Sequence, residues 1–263
     1  IGGGNMAEAI IKGIISTELF KASDIIISDI SPEKLDYMQG KYGVEVTSNN
    51  RQVARQADIV MMSVKPQVMA KVVEGIKGSL HAEKLVVSIA AGIKTSFFEQ
   101  RLGDFAIVRV MPNTPALVEE AASAIYANAK ARDKIVKVTA IFEAIGKAVV
   151  VEEEGLIDAV TAVSGSGPAY FFMLMEEMIK AGIKLGLDVK TAKQLVLQTA
   201  KGSAILAMEA DKESQSPAEL RRKVTSPGGT TQAALETFSQ ADITGIVEAA
   251  LRSAFNRSRE LSS

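Results

Sequence analysis

The first 150 residues alternate short runs of β-branched residues with amphipathic stretches of helical spacing, and this alternation restricts the fold more than any other feature. It is typical of a parallel sheet covered by helices on both faces. We predict strands at residues 24–29, 44–46, 58–64, 84–89, 106–111, 122–127 and 147–151. The helices predicted between them cover residues 5–19, 32–41, 50–56, 66–77, 95–102 and 131–145. This half is therefore an α/β domain with a mostly parallel sheet.

The composition changes after Val151, where long segments rich in Ala, Leu, Met, Lys and Glu favour helices. We predict helices at residues 153–163, 168–185, 189–209, 217–222, 231–238 and 241–261. The glycine-rich strings SGSGP at 164–168 and SPGG at 226–229 are predicted as breaks between helices. The predicted domains are thus an α/β domain at residues 1–151 and an all-α domain at residues 152–263.

The predicted helix at residues 168–185 is apolar on more than one face. Its apolar residues include Phe171, Phe172, Met173, Leu174, Met175, Met178 and Ile179. A helical half of about 110 residues can shield few helices on all sides, so we expect it to complete its core with a second copy of the chain. Ordinary packing within one chain is the alternative.

Charge and composition exclude several classes of function. The chain has 30 basic and 31 acidic residues, so no overall positive field attracts nucleic acid or an anionic membrane. It has no cysteine and only one histidine, His81, so we expect no disulfide, no thiolate chemistry and no metal site. No apolar run reaches the roughly 18 residues of a spanning helix. We expect a protein of the reducing cytoplasm.

A glycine-rich segment, IGGGNMA, occupies residues 1–7. It fits the fingerprint G-x-G-x-x-G/A of Rossmann domains, in which Gly2 forms the tight turn, Gly4 lets a pyrophosphate approach the backbone, and Ala7 packs the helix on the strand. The helix that begins here presents free N–H groups to the anion. Because the motif starts directly after Ile1, we expect part of the leading strand to be absent from the sequence. A purely structural turn is the alternative.

Ser28 and Asp29 end the predicted strand at 24–29 and are candidate cofactor contacts. An acidic side chain at this place can accept hydrogen bonds from the ribose hydroxyls of a dinucleotide. Asp29 would favour NADH by repelling a 2′-phosphate, whereas Ser28 and Ser31 could donate hydrogen bonds to that phosphate. Asp29 could also be a solvated turn residue.

Three further predicted strands end in small, rigid or charged residues, namely Ser63-Val64-Lys65-Pro66, Ala90-Ala91-Gly92 and Met111-Pro112-Asn113-Thr114-Pro115. Ligands of open α/β sheets bind outside the carboxyl ends of the strands, so these segments should converge on the cofactor. Small side chains at 90–92 would let the chain approach a nicotinamide ring, and Pro66 would begin the next helix. Lys65 could hold a phosphate or a carboxylate, or it could simply be solvated.

The most informative segment of the helical half is TSPGGTT at residues 225–231. It resembles a nest of backbone donors leading to a helix N-terminus, which favours a carboxylate. The hydroxyls of Thr230 and Thr231 could bind a small polar ligand, although Thr230 could merely cap the helix. The string VSGSGPAY at 163–170 is explained by a simple helix break with Ser166 as its cap, unless another element packs closely against it.

The strings IGGGNMAEAI, SVKPQ, SIAAG, RVMPNTPA, DAVTAVSGSGPAY and VTSPGGTTQAAL resemble pyrroline-5-carboxylate reductases in order and spacing over nearly the whole chain. The combination of SGSGPAY with SPGGTT is highly specific to that family. The resemblance implies reduction of the C=N bond of 1-pyrroline-5-carboxylate to L-proline, the last step of proline biosynthesis. NADPH is the expected cofactor and NADH the alternative. It also implies a Rossmann domain, a helical dimerisation domain, homodimers that assemble into decamers, and a cleft built from both subunits.

The resemblance also assigns site residues by motif position. Cofactor contacts carry over to Gly2, Gly4, Asn5, Met6, Asn50, Val64, Lys65, Pro66, Ala90, Ala91 and Gly92. Substrate contacts carry over to Thr230 and Thr231, with Gly228 and Gly229 shaping the loop. Thr231 matches the threonine that meets the ring nitrogen and is the expected catalytic residue. Lys223 departs from the family, which often has Asn there, and its contact with substrate stays open.

Two other functions fit part of the sequence. A relative of the β-hydroxyacid dehydrogenases, or an imine reductase for another ring, would usually place a catalytic Lys or Asp on the central helix. Here the lysines of residues 168–185 are Lys180 and Lys184, which come late on that helix. A non-catalytic nucleotide sensor would use the Rossmann half for binding and the helical half for assembly. The SPGGTT segment argues against a sensor, which has no evident need for a second ligand site.

Overall fold

The computed structural model describes residues 1–262, which form two compact units. The first unit consists of Ile1–Pro168 together with the described residues from Arg252 onward, and the second consists of Ala169–Leu251. The segment 152–168 therefore packs within the first unit, and the end of the last helix returns to it. The predicted boundary between folding domains at residues 151 and 152 stays a prediction.

The strands of the first unit form two sheets. They are β1 at Ile26–Ser28, β2 at Glu45–Thr47, β3 at Ile59–Met62, β4 at Leu85–Ser88, β5 at Ala106–Met111, β6 at Ala121–Ala127 and β7 at Gly146–Val150. Strands β1 and β2 pair in parallel, and the larger sheet has the order β3-β4-β5-β6-β7. Neighbouring strands of the larger sheet are parallel except β5 and β6, which are antiparallel. The prediction of a mostly parallel sheet is confirmed.

The first two residues lie between the two sheets and bind to both. The Gly2 amide donates to the Ser28 carbonyl at 2.7 Å, on the side of β1. The Ile1 nitrogen donates to the Met61 carbonyl at 2.8 Å, and the Ser63 amide donates to the Ile1 carbonyl at 2.8 Å, on the side of β3. The glycine-rich segment therefore starts between the carboxyl ends of β1 and β3.

Helices cover both faces of the larger sheet, as the alternation of the sequence predicts. Successive strand residues point to opposite faces, so Val87 packs with Ile10 and Phe142 on one side, while Val86 packs with Met69 and Phe98 on the other. The helices of this unit are α1 at Asn5–Ser16, α2 at Pro32–Tyr42, α3 at Asn50–Gln56, α4 at Pro66–Ile76, α5 at Thr95–Leu102, α6 at Ile135–Glu143 and α7 at Leu156–Val160.

The remainder of the chain is helical, which confirms the predicted all-α half. Its helices are α8 at Gly167–Lys184, α9 at Val189–Asp211, α10 at Pro217–Lys223, α11 at Thr230–Gln240 and α12 at Ile243–Leu261. Local signals explain where several of them begin. Asp188 accepts a hydrogen bond from the Thr191 amide at the start of α9, and Ser216 forms a capping box with Glu219 at the start of α10.

The predicted helix break at SGSGP is wrong in its form. Residues Thr161–Gly165 make a π-helical turn directly after α7, and α8 begins at Gly167. The Ser166 amide still donates to the Thr161 carbonyl at 2.8 Å, so backbone hydrogen bonding continues through the segment. Glycine lowers the stability of a helix but can be part of one. A π-helical turn accommodates one extra residue within a helix, so the backbone can continue through these glycines without a break.

Helix α8 exposes large apolar side chains in a single copy of the chain. Phe171 is 65% exposed, and Phe172, Met173, Leu174 and Met178 are exposed as well. Contiguous exposed apolar surface of this kind marks an interaction site. The exposed apolar side chains of α8 agree with the prediction that the helical half completes its core with a second copy of the chain. None of the helices within residues 1–262 has the length and hydropathy of a membrane-spanning segment.

Candidate cofactor and substrate sites

Gly2 forms the tight turn of the glycine-rich segment. Its φ of +98° lies in the region that favours glycine. A Cβ at this position would stand 2.8 Å from the Ser63 carbonyl oxygen and 3.0 Å from Val64 Cγ1. The turn therefore needs glycine both for its backbone conformation and for its packing against the end of β3.

Gly4 is different, because the space beside it is open. It precedes α1 with φ −80° and ψ 176°, a conformation that any residue adopts. Within residues 1–262 no atom outside Gly4 and its two chain neighbours lies within 4 Å of the place that its Cβ would take, and no side chain caps the helix. The positive end of α1 thus faces free space, which suits the pyrophosphate of a dinucleotide. This cradle fits the predicted cofactor.

Asp29 binds the glycine-rich segment. Its Oδ2 accepts a hydrogen bond from the Gly3 amide at 2.6 Å, and its Oδ1 accepts one from the Ser31 amide at 2.9 Å. The side chain is only 11% exposed, so the alternative of a solvated turn residue is wrong. Burial raises the pKa of this carboxyl, but the Gly3 and Ser31 amides and the charge of Lys34 outweigh it, and the pKa lies below its ordinary value. Its contact with ribose stays a prediction.

Ser28 and Asn50 connect the end of β1 to the start of α3. The Ser28 hydroxyl is fully buried and donates to Asn50 Oδ1 at 2.8 Å. Without exposed surface, this hydroxyl holds Asn50 and leaves any direct contact with a ligand to its neighbours. Asn50 is the partly exposed first residue of α3, and Asn49 caps that helix by accepting from the Arg51 amide.

The segments 63–66 after β3 and 90–92 after β4 differ in their exposure and packing. Lys65 is exposed, and Pro66 is the first residue of α4, as predicted. Ala91 is exposed, while Ala90 is buried. Gly92 has a φ of +75°, and a Cβ there would stand 2.8 Å from the carbonyl oxygen of Leu261. The small size of Gly92 is thus needed for packing against the end of α12, whereas the predicted approach to nicotinamide rests on Ala90 and Ala91.

The strings RVMPNTPA and SGSGP are in contact within the first unit. Asn113 Nδ2 donates to the Ser164 carbonyl at 3.0 Å, and Asn113 Oδ1 accepts from the Ala122 amide at 2.9 Å. A Cβ on Gly165 would stand 2.6 Å from Met111 Cε. Another element therefore does pack closely against SGSGP, and the simple helix break does not explain it. Asn113 had no predicted role of its own, although an asparagine flanked by Pro112 and Pro115 is a recognisable signal in the sequence.

The predicted substrate segment, in the second unit, is a turn that leads into α11. Gly228 has a φ of +70°, and its amide donates to Gln232 Oε1 at 2.7 Å. The Gly229 amide donates to the Ser226 carbonyl at 3.0 Å, and Gly229 precedes the helix. Gln232 closes this loop and was missed in the sequence, where it looked like an ordinary helix residue.

Thr230 and Thr231 are the first two residues of α11. Gly229 occupies the N-cap position, and no side chain makes a capping hydrogen bond there, so the alternative that Thr230 merely caps the helix is wrong. Lys223, the departure from the family pattern, is exposed and binds Gln215. Two threonine side chains at the N-terminus of a helix can bind a small anionic molecule together with the helix amides.

No group of three or more His, Asp or Glu side chains within residues 1–262 is arranged to hold a metal ion. Hydrogen bonds, helix dipoles and packing define the two candidate sites. In the first unit these features fit an extended phosphate-containing ligand at the carboxyl ends of the strands. In the second unit they fit a small carboxylate at the start of α11.

Comparison with known proteins gives matches for both halves. A family profile described as pyrroline-5-carboxylate reductase dimerisation matches residues 154–261, and one described as NADP oxidoreductase coenzyme F420-dependent matches residues 1–92. The pyrroline-5-carboxylate reductase of Pseudomonas aeruginosa is 45% identical over 99% of this chain and 95% of its own length.

Solved structures agree with these matches. A pyrroline-5-carboxylate reductase from Coxiella burnetii has a TM-score of 0.94 and 40% identity, over 100% of this chain and 97% of the other. A Plasmodium falciparum pyrroline carboxylate reductase with NADP bound has a TM-score of 0.88 and 32% identity, over 100% and 96% of the two chains. This chain therefore belongs to the pyrroline-5-carboxylate reductase family.

Proposed function

We propose that the chain reduces the C=N bond of 1-pyrroline-5-carboxylate to L-proline, the last step of proline biosynthesis, with NADPH as the preferred reductant. The observation that carries this proposal is the full-length identity of 45% to a reductase of that name. The two candidate sites support it, because one suits a dinucleotide and the other suits a small carboxylate.

The cofactor would be held at the carboxyl ends of β1, β3 and β4. The backbone at Gly2, Gly4, Asn5 and Met6 would receive the pyrophosphate at the open start of α1. Lys65 would hold a phosphate of the nucleotide, and the small residues Ala90 and Ala91 would let the nicotinamide ring approach the backbone. When bound, the reduced nicotinamide supplies the hydride that the imine carbon accepts. NADPH is preferred in this proposal because the Plasmodium falciparum relative was solved with NADP.

The substrate would be bound by the start of α11. Gly228 and Gly229 would shape the turn, and the first backbone amides of α11 together with the Thr230 side chain would hold the carboxylate near the positive end of the helix. The Thr231 hydroxyl would hydrogen-bond the ring nitrogen in both the imine and the amine. A protonated imine is already electrophilic, so its reduction needs no strong general acid from the chain. The residues of this segment therefore act by binding and orienting the ring.

The assembly in this proposal is a homodimer, with decamers of five dimers as a further level, in the cytoplasm. The exposed apolar side chains of α8 and the dimerisation family of residues 154–261 support the dimer. The decamer rests on the family resemblance alone.

The test is to follow nucleotide absorbance at 340 nm with 1-pyrroline-5-carboxylate and either NADPH or NADH. The proposal expects oxidation that requires both reactants and yields proline. A nucleotide sensor would bind the reduced nucleotide without turnover. A reductase for another ring would turn over a six-membered cyclic imino acid faster than the five-membered one. Either of these two results would contradict the proposal.

A further inference from the structure

Arg109 is a buried cation without a full set of partners. It lies on β5 and is 2% exposed. Its Nη1 lies 3.3 Å from Glu154 Oε1, while its buried Nη2 finds no hydrogen-bond partner among the described residues. Leaving a buried guanidinium N–H unpaired opposes folding, and such exceptions in a native structure call for an explanation.

Glu154 binds two further groups besides Arg109, both of them on Thr95. Its Oε1 accepts from the Thr95 amide at 2.7 Å, and its Oε2 accepts from the Thr95 hydroxyl at 2.9 Å. Thr95 is the first residue of α5, and Lys94 before it provides no side-chain cap. The carboxylate of Glu154 therefore caps α5 from elsewhere in the chain, at the end of the helix where a negative charge is favoured.

These contacts lie directly beside the segment 90–92. Arg109 lies opposite Ser88, the last residue of β4, in the register of the neighbouring parallel strands β4 and β5. Thr95 is the first residue of α5, the helix that follows the segment. Six residues separate Ser88 from Thr95, so the position of Thr95 constrains the backbone of the segment 90–92 between them. On its other side the segment meets the end of α12, where Gly92 packs against Leu261.

We propose that Glu154 and Arg109 are positioning residues for the nicotinamide nucleotide. Glu154 holds Thr95, Arg109 holds Glu154, and together they keep Ala90 and Ala91 in the conformation that the nucleotide needs. The unpaired Nη2 of Arg109 lowers the stability of the fold, and this loss follows from placing the guanidinium where it fixes the Glu154 carboxylate. The inference rests on the proposed cofactor site at residues 90–92.

The test measures the Kd for NADPH of the wild type and of single-residue variants, by titrating the fluorescence of NADPH with protein. Glu154→Gln keeps the shape of the side chain but removes its charge and one acceptor for Thr95, so the Kd for NADPH should rise about tenfold. The KM for 1-pyrroline-5-carboxylate should stay within about twofold, because its proposed contacts are on α11. Glu99→Gln is the matched control, since Glu99 lies on α5, the helix that Glu154 caps, and its carboxylate accepts from Asn128 Nδ2 rather than from Thr95. Its Kd should match that of the wild type.

Gly4→Val separates a failure of this inference from a failure of the cofactor site. If Glu154→Gln is folded and binds NADPH as the wild type does, while Gly4→Val does not bind, Glu154 is only structural and the inference is overturned. If Gly4→Val binds normally, the cofactor site is wrong and the inference falls with it. If Glu154→Gln does not fold, Thr95→Val replaces it, because this variant deletes the hydrogen bond from the Thr95 hydroxyl to Glu154. A rise in its Kd for NADPH supports the inference, and an unchanged Kd overturns it.

Discussion

Asp29, the acidic residue directly after β1, can have one of two roles, and a substitution distinguishes them. In one role its carboxylate reads the ribose of the nucleotide, and in the other it holds the glycine-rich segment in place. Replacing Asp29 with Asn keeps the size of the side chain but turns one carboxylate oxygen into an NH2 group, which cannot accept. Because the two oxygens bind the Gly3 amide at 2.6 Å and the Ser31 amide at 2.9 Å, one of these bonds has to be lost.

The expected loss follows from the kind of bond. A hydrogen bond to a charged group contributes about 1.5–3 kcal/mol, and the low exposure of Asp29 leaves little screening by solvent. We expect Asp29→Asn to lower the free energy of unfolding by about that amount. Because Gly3 lies between Gly2 and Gly4, the same loss should weaken the binding of NADH and NADPH alike, by about tenfold for each 1.4 kcal/mol.

Titration of both nucleotides distinguishes the two roles. If Asp29 positions the segment, both Kd values rise and their ratio stays within about threefold. If Asp29 reads the ribose, removing its charge shifts the ratio about tenfold or more toward NADPH, with little change in melting temperature. The second result would refute the reasoning. Asp24→Asn is the control, because the Asp24 carboxylate also accepts from a backbone amide, that of Lys21 at 3.2 Å, but is exposed.

The contribution of Asp29 to the free energy of unfolding should also depend on pH. The pKa of Asp29 is lower in the folded chain than its ordinary value of 3.8. Its contribution to stability is therefore complete above pH 3.8 and is lost as the pH falls through the lower pKa of the folded state. The difference in unfolding free energy between wild type and Asp29→Asn, measured with urea, should shrink between pH 7 and pH 3. A difference that stays constant would contradict the assigned pKa.

Three further predictions test the remaining parts of the proposal. Gly4→Val should abolish binding of NADPH with native circular dichroism, because the side chain fills the space beside the start of α1; unchanged affinity would make the fingerprint purely structural. Thr231→Ala should lower kcat/KM by about 1–3 kcal/mol with little change in cofactor affinity, and Thr231→Ser should keep most activity. Full activity of Thr231→Ala with a lower melting temperature would make Thr231 structural. Light scattering at micromolar concentration should show at least a dimer, and a monomer would contradict the shared core.

The elements of the fold could be predicted because their signals are local. The bounds of α3, α5 and β5 agree with the sequence analysis residue by residue. Pro66 marks the start of α4, and Asn49 and Asp188 cap the helices that they precede. Such signals act over a few residues, so periodicity and capping suffice to find them.

The π turn could not be predicted in the same way. Its glycines look like a stop when only the neighbouring residues are considered. What defines the turn is distant in sequence, since Met111 packs on Gly165 and Asn113 binds the Ser164 carbonyl. The same holds for Arg109 and Glu154, which read as two ordinary charges until the fold brings them together with Thr95.

Gly4 and Gly92 show how the structure separates two reasons for a small residue that the sequence cannot tell apart. The place of a Cβ on Gly4 is empty and its backbone suits any residue, so Gly4→Ala should lower the free energy of unfolding only by the N-cap preference, less than about 1 kcal/mol, while lowering the affinity for NADPH. The place of a Cβ on Gly92 is filled by the Leu261 carbonyl, and its φ of +75° strains any other residue. Gly92→Ala should therefore destabilise the fold by about 1 kcal/mol or more. If Gly92→Ala melted like the wild type and only bound NADPH more weakly, the space at Gly92 would belong to the cofactor after all, and the packing of Leu261 would not be the reason for this glycine.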